Sequence, residues 1–280
     1  VARIGHYTRS AEALYRFMRI AHVQHVMNWV DPDIRSAALP QLTASQPARG
    51  TREHARMLWE IMRSDAWTEA LEADNRTRRG SMPGGHTDAV VAVDERGNVA
   101  ALTYSSNTAG WGRTGLFVDG VSIPDPGAFS QKSIARTGPG RRLPIALNPL
   151  LVLDDGAPVL ASAAIGPGIH ETTLQNLMSV LDFGMDPAQA NEAPEFLLYL
   201  YTPIQEQMRD LPVHTRAVPA GEFDSTLLDS VRAMGQPVVE VESALARGLR
   251  GYWIGIRIDP ATRMLQGAAS RFFGGTAEGY

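Results

Sequence analysis

The chain has no cysteine. Disulfides, thiolate metal sites and a cysteine nucleophile are excluded, so covalent chemistry must run through a hydroxyl, an amine or a carboxylate. Lysine is almost absent: Lys132 stands alone among 26 basic residues, a bias that reads as a GC-rich genome before it reads as an arginine surface. No apolar run approaches the roughly 20 residues of a membrane-spanning helix. A net charge of −4 gives no overall pull toward nucleic acid or anionic lipid. There is no GxSxG elbow, no SxxK and no HExxH. The run IGPGIHE at 165–171 lacks the lysine of a phosphate loop and the spacing of a dinucleotide turn. The chain opens on Val1 without a methionine or signal-like segment. The expectation is a processed chain or one that begins partway through a longer polypeptide, in the cytoplasm unless an upstream signal says otherwise.

What is present is 280 residues, enough to bury one large core or two smaller ones. Ala13, Leu14, Phe17, Met18, Ala21, Val23, Met27 and Val30 recur at helical spacing and predict a helix over 10–30, ending before the turn Asp31-Pro32-Asp33. His22 and His25 share that helix with no carboxylate nearby to complete a metal motif, and read as surface or packing histidines. Thr51 caps a second helix running to the 71–73 region. NRTRRGSMPGGH at 75–86 is polar, basic and glycine-rich, and reads as an exposed, flexible linker without aromatic partners for base stacking.

From Thr87 the periodicity changes to 2. Asp88–Asp94 and Asn98–Tyr104 alternate around Glu95-Arg96-Gly97, which predicts a β-hairpin. A short strand is expected at 115–119, and a second hairpin at 150–154 and 158–163 around Asp155-Gly156. A helix over 172–183 follows the glycine turn at 165–168. A short helix capped by Asp186 comes next, then an irregular stretch at 202–221, a helix over 223–234 and strands at 238–241, 251–259 and 264–268. Sheets inside with helices outside are the expected layering.

A hairpin headed by a threonine becomes chemically interesting if the peptide bond before it is cut. The α-amine released would be the general base for the adjacent hydroxyl, so that one residue holds both functions. The linker at 75–86 supplies an exposed scissile loop, the strand from Thr87 a rigid holder, and the glycine turn at a helix start supplies free backbone N–H groups for negative charge. An ordinary linker and hairpin is the other reading of the same pattern.

The stretches TDAVVAVDERGNVAALTYSSNT from Thr87, GPGRRLPIALNP at 138–149, TTLQNLMSVLDFGMDPAQANEAPEF at 172–196 and the final GAASRFFGGTAEGY resemble, in order, the small subunit of the γ-glutamyltransferase (γ-glutamyl transpeptidase) family. That resemblance implies an α+β fold, the four-layer αββα sandwich of N-terminal-nucleophile hydrolases, incomplete without an upstream part of the large subunit. It makes residues 1–86 the C-terminal part of a large subunit and 87–280 the small catalytic subunit, two parts of one domain. Self-cleavage between His86 and Thr87 would yield a heterodimer. Thr87 falls on the nucleophile, Ser105 on a hydroxyl that contacts it and Asn107 on a substrate-site asparagine. Gly166 and Gly168 fall near the family's paired oxyanion glycines, here separated by Pro167, which has no N–H to donate.

Departures from the family fall where the glutamyl group is held. The consecutive serines that grip its carboxylate are replaced by Ile145 and Ala146. The glutamine and aspartate that grip its amine fall near Val121 and Pro124, with Asp125 one residue away as a substitute. Arg141 and Arg142 match basic residues of the pattern, to orient a carboxylate or to form a structural ion pair. His170 and Glu171 line the pocket or simply start a helix, and Trp111 covers the site or packs. The resemblance implies a hydrolase or acyltransferase with no cofactor and no metal, acting on a small molecule other than a plain γ-glutamyl amide, in secondary-metabolite or antibiotic biosynthesis. Two alternatives stand beside it. One is hydrolysis of a carbon–carbon bond in a ring-cleaved, tyrosine-derived intermediate; the other is a degenerate, non-catalytic family member.

Overall fold

The computed structural model describes residues 4–42, 50–77, 87–105, 114–123, 134–135, 137–141, 147–197 and 210–279. In chain order they form helices α1 (Ala11–Trp29), α2 (Pro32–Ala38), α3 (Arg52–Arg63) and α4 (Ala66–Thr77), then strands β1 (Thr87–Val93), β2 (Val99–Ser105), β3 (Phe117–Val118), β4 (Val121–Ser122), β5 (Leu150–Asp154) and β6 (Ala157–Ile165). Helices α5 (Ile169–Leu181) and α6 (Pro187–Glu192) lead to β7 (Arg216–Pro219), α7 (Ser225–Ala233), β8 (Val238–Val241), α8 (Ser243–Arg247), β9 (Tyr252–Ile258) and β10 (Leu265–Ala269). None of the described helices is long and apolar enough to cross a membrane. The chain divides into two compact units, Val1–Ser81 with Ala193–Leu249 and Met82–Glu192 with Arg250–Tyr280.

In the first unit Ser10 caps α1 by accepting from the Ala13 N–H at 3.2 Å. Every apolar position that the helical spacing picks out on α1 is buried. Its C-terminal half joins α2, α3 and α4 around Val26, Leu39, Ile61, Met62, Trp67 and Leu71. The single second helix expected from the sequence is two helices. Arg19, reaching across from α1, donates to Met62 O at 2.8 Å, to Ser64 O at 2.9 Å and to Asp65 Oδ1 at 2.9 Å, satisfying the carbonyls at the break. Asp31-Pro32-Asp33 starts α2 instead of a plain turn, because the Asp31 carboxylate accepts from Asp33 N at 3.0 Å and Pro32 occupies the first helical position. Within the stretch expected to be irregular, β7 pairs parallel with β8, Arg216 opposite Val238.

His22 proves to be a core histidine. It is fully buried and stacked on Trp67 with ring centroids 4.8 Å apart, and Arg216 Nε donates to its Nε2 at 3.2 Å. Burial first, then the charges of Arg216, His214, His25 and Arg19, push its pKa well below the ordinary 6.5. The folded state therefore holds His22 neutral where the unfolded chain has already taken up a proton. This contribution is whole above pH 6.5 and is lost as pH falls below it, at up to about 1.4 kcal/mol per pH unit. Urea denaturation at pH 7.5 and pH 5.5 should show stability falling on acidification, and falling less in His22→Gln, which keeps an acceptor for Arg216. Equal losses in the two proteins would mean that His22 does not carry the effect.

The second unit is built on a four-stranded antiparallel sheet in the order β10-β9-β6-β5. Asp155 and Gly156 both take positive φ in the two-residue turn between β5 and β6, the geometry that matches strand twist. Leu160 and Ala164 of β6 and Trp253 of β9 pack with Ile169 and Val180 of α5 and Ala190 of α6. Since side chains alternate across a strand, the buried Ala161 and Ala163 face the opposite side. There β1 and β2 lie against β6. The hairpin turns Thr87, Ala89, Val91, Ala101, Thr103 and Ser105 inward and leaves Val90, Leu102 and Tyr104 exposed. Alanines on both faces allow close approach of the two layers. The fold is α+β, with helices on one face of the sheet and the threonine-headed hairpin on the other.

Candidate active site

Asp94 sets the hairpin's register. Its Oδ1 accepts from Arg96 N at 2.9 Å and Asn98 N at 2.8 Å, and its Oδ2 accepts from Asn98 Nδ2 at 2.7 Å, closing a tight Asx turn. These bonds hold the Asp94 pKa below its ordinary value. From that turn the pairing runs without a slip to Thr87 opposite Ser105. The two side chains meet at the open end of the hairpin, where Thr87 Oγ1 donates to Ser105 Oγ at 3.2 Å. That is longer than a typical hydroxyl pair, so the bond orients the Thr87 oxygen more than it activates it. No described imidazole or carboxylate is hydrogen-bonded to the Thr87 hydroxyl; Ser105 is its partner there. Thr103, two residues further along the inner face, has a buried Oγ1 with no hydrogen-bond partner among the described residues.

The glycine turn follows β6. Gly166 has φ +87°, and a Cβ there would come within 2.9 Å of Tyr252 Cδ2 and 3.0 Å of Arg250 O, so glycine is required by both conformation and space. Gly168 is the N-cap of α5 and makes no side-chain cap bond. The N–H groups of the first helical turn therefore have no capping side chain from that position. The helix starts at Ile169, three residues before the expected Thr172. His170 and Glu171 sit in its first turn, Glu171 buried and His170 partly so. Burial lowers the His170 pKa, with Glu171 opposing the shift.

Thr87 and Ser105 are thus brought together, and Gly166 and Gly168 form the turn that ends β6. His86, Asn107, Trp111, Pro124, Asp125, Arg142, Ile145 and Ala146 lie outside the described residues. Arg141 is exposed. Val121 begins β4, opposite Val118, and is also exposed. The strand expected at 115–119 is a miniature hairpin instead, because Asp119 and Gly120 both take positive φ and reverse the chain. Among the described residues no group of three His, Asp or Glu side chains is placed to hold a metal ion.

One contact was not foreseen from the sequence. Asn148 Nδ2 donates to Thr173 Oγ1 at 2.6 Å, tying the chain just beyond Ile145 and Ala146 to the first turns of α5. An asparagine before a proline reads locally as turn chemistry, so no local signal points to this bond.

The chain matches the family model for gamma-glutamyltranspeptidase over residues 6–271. A glutathione hydrolase proenzyme from Pseudomonas sp. (strain A14) is 29% identical over 129 residues, covering 40% of this chain and 22% of that protein. Another from Escherichia coli (strain K12) is 27% identical over 118 residues, 37% of this chain and 20% of that protein. The matched stretches therefore span about a fifth of the length of these curated relatives. Among solved structures, LmbA2991HD is similar in fold, with a TM-score of 0.50 and 23% identity over 70% of this chain and 34% of that one. With the family pattern running through both units of an α+β fold, the chain belongs to the gamma-glutamyltranspeptidase family.

Proposed function

We propose that Thr87 is the nucleophile of a self-cleaving hydrolase or acyltransferase whose substrate is not a plain γ-glutamyl amide. The observation that carries this reading is the Thr87–Ser105 hydroxyl pair at the open end of the hairpin. In maturation the Thr87 hydroxyl attacks the His86 carbonyl carbon, the acyl group passes from nitrogen to oxygen, and water releases the His86 carboxylate. This leaves Thr87 with a free α-amine. In turnover that amine takes the hydroxyl proton as Oγ1 attacks the substrate carbonyl, then returns it to the leaving group. Backbone N–H groups at the Gly166–Gly168 turn stand as the donors for the oxyanion, and water or an amine resolves the acyl-enzyme. The two fragments would remain together as a heterodimer.

Ile145 and Ala146, with Val121 and Pro124, support a changed substrate, because none offers a side-chain hydrogen bond to a glutamyl carboxylate or amine. Each charge-assisted bond lost is worth about 1.5–3 kcal/mol. The changed pocket suits a role in secondary-metabolite biosynthesis, with amide hydrolysis first and cleavage of a carbon–carbon bond next to a carbonyl as the second form of the same nucleophilic step. Intact-mass measurement of the purified protein tests the core of the reading. The expected result is two fragments, the second beginning at Thr87, and slow turnover of γ-glutamyl p-nitroanilide by the matured protein. A chain that never divides would refute the nucleophile, and turnover at the rate of an ordinary transferase would refute the changed pocket.

A further inference from the structure

The glycine turn does not hold its shape by itself. The segment Arg250–Gly251–Tyr252, where β9 begins, presses on both of its ends. At Gly166 the neighbours are the Tyr252 ring and the Arg250 carbonyl, within about 3 Å of where a Cβ would stand. At Gly168 the neighbour is Gly251: a Cβ on Gly251 would lie 2.6 Å from Gly168 O, 2.7 Å from Thr172 Oγ1 and 2.8 Å from Thr172 Cβ. The Gly251 N–H donates to Thr172 Oγ1 at 3.1 Å, and the Thr172 N–H donates to Gly168 O at 2.9 Å. A closed circuit results, from Gly168 O through Thr172 to the Gly251 backbone. Thr172 and Gly251 are both buried.

We infer that Thr172 and Gly251 are positioning residues: together they fix the pitch of the Gly166–Gly168 turn and so aim its backbone N–H groups at the reacting carbonyl. This inference rests on the reading of Thr87 as nucleophile and of the turn as the oxyanion site. The physical need is plain. Pro167 removes one donor from the middle of the turn, so those that remain must be placed by something other than a run of adjacent amides. Gly168 cannot lock the start of α5 with a side chain either. The Thr172 hydroxyl does so from one turn further along, by accepting from a strand rather than from its own helix. Glycine at 251 lets the strand backbone come close enough for that bond.

The test uses p-nitrophenyl acetate, a small activated ester that needs no glutamyl recognition. Thr87 Oγ1 takes the acetyl group, the acyl C–O bond breaks to release p-nitrophenolate, and water returns acetate. Thr172→Val keeps the shape and removes the acceptor, while Thr172→Ser keeps the acceptor. Removal of a whole oxyanion donor costs on the order of 10²–10³ in kcat, and a misaimed donor should cost about tenfold or more. The expected result is kcat down by about that factor in Thr172→Val with KM nearly unchanged, and recovery in Thr172→Ser. Gly251→Ala should act in the same direction; if it fails to fold, the Thr172 pair decides alone. An unchanged kcat in Thr172→Val with only a lowered melting temperature would overturn the positioning role, as would equal losses in Val and Ser. Ester cleavage by the wild type no faster than by Thr87→Ala would instead remove the nucleophile reading, and the positioning role with it.

Discussion

Thr87→Ala should leave the protein as one undivided chain with no turnover above background. The hydroxyl removed is the group that would open the His86–Thr87 bond and then attack substrate, so maturation and catalysis fail together. Loss of a catalytic nucleophile lowers kcat by at least about 1,000-fold in comparable hydrolases. Thr87→Ser retains the oxygen and should still divide, more slowly, because it gives up the methyl group that restrains the side-chain rotamer. Ser105→Ala makes a graded comparison. It removes the hydrogen bond from Thr87, worth about 0.5–1.5 kcal/mol, which corresponds to about a two- to tenfold loss in rate. Thermal stability should change little in all three, since the affected side chains are half-exposed at the open end of a hairpin. Electrophoresis and intact mass read the division, and ester cleavage reads the chemistry. A Thr87→Ala protein that still divides at residue 87 would place the scissile chemistry on another residue.

The order of these effects follows how local each signal is. The Thr87 hairpin was legible in the sequence because its information is short-range: two short runs rich in apolar residues and an Asp94 turn whose partners all lie within four residues. Its register puts Thr87 opposite Ser105 once the turn is fixed, so the hydroxyl pair follows from the same signals. The hairpin of β5 and β6 was legible for the same reason, through Asp155 and Gly156. Other features were not, and each time the deciding contact is distant in the chain. The break between α3 and α4 is satisfied by Arg19, more than 40 residues earlier. Strand β7 hides behind a fully buried Arg216 and a terminal Pro219, a polar residue and a breaker. Its charge is tolerable inside because His22, 194 residues away, accepts from it and Phe196 lies beneath its guanidinium. At the site, Thr87 announced itself in sequence, whereas Gly251 read as one more glycine. Only the approach of Gly168 O and Thr172 gives it a role.

Packing of a ring two residues away governs the largest expected loss of stability, at Gly255. This residue sits in β9, which is paired on both sides, opposite Ser162 of β6 and Ala268 of β10. The indole of Trp253, fully buried, folds back along the strand over it: a Cβ on Gly255 would lie 2.1 Å from Cη2 and 2.5 Å from Cζ2. Neither partner has room to move. The backbone is held by ladders on both edges, and the ring is enclosed by the Leu160, Ala164, Ile169 and Val180 cluster beneath α5. Gly255→Ala must drive the indole from its position, combining overpacking, about 1–3 kcal/mol, with part of the cost of emptying a buried aromatic site, about 3–5 kcal/mol for a full truncation. A loss of about 3 kcal/mol or more is expected, a fall in melting temperature on the order of 10 °C. Trp253→Leu alone should cost a similar amount through the cavity it leaves. In the double variant the added methyl occupies space the indole has vacated, so the two costs should not add, with a coupling of at least about 1 kcal/mol. Denaturation of the four proteins in this cycle measures that coupling. Strict additivity would mean that the ring and the glycine are not packed against each other. Because Trp253 pairs with Ala164, two residues before Gly166, Gly255→Ala should also weaken ester cleavage if the glycine turn serves the reaction as proposed.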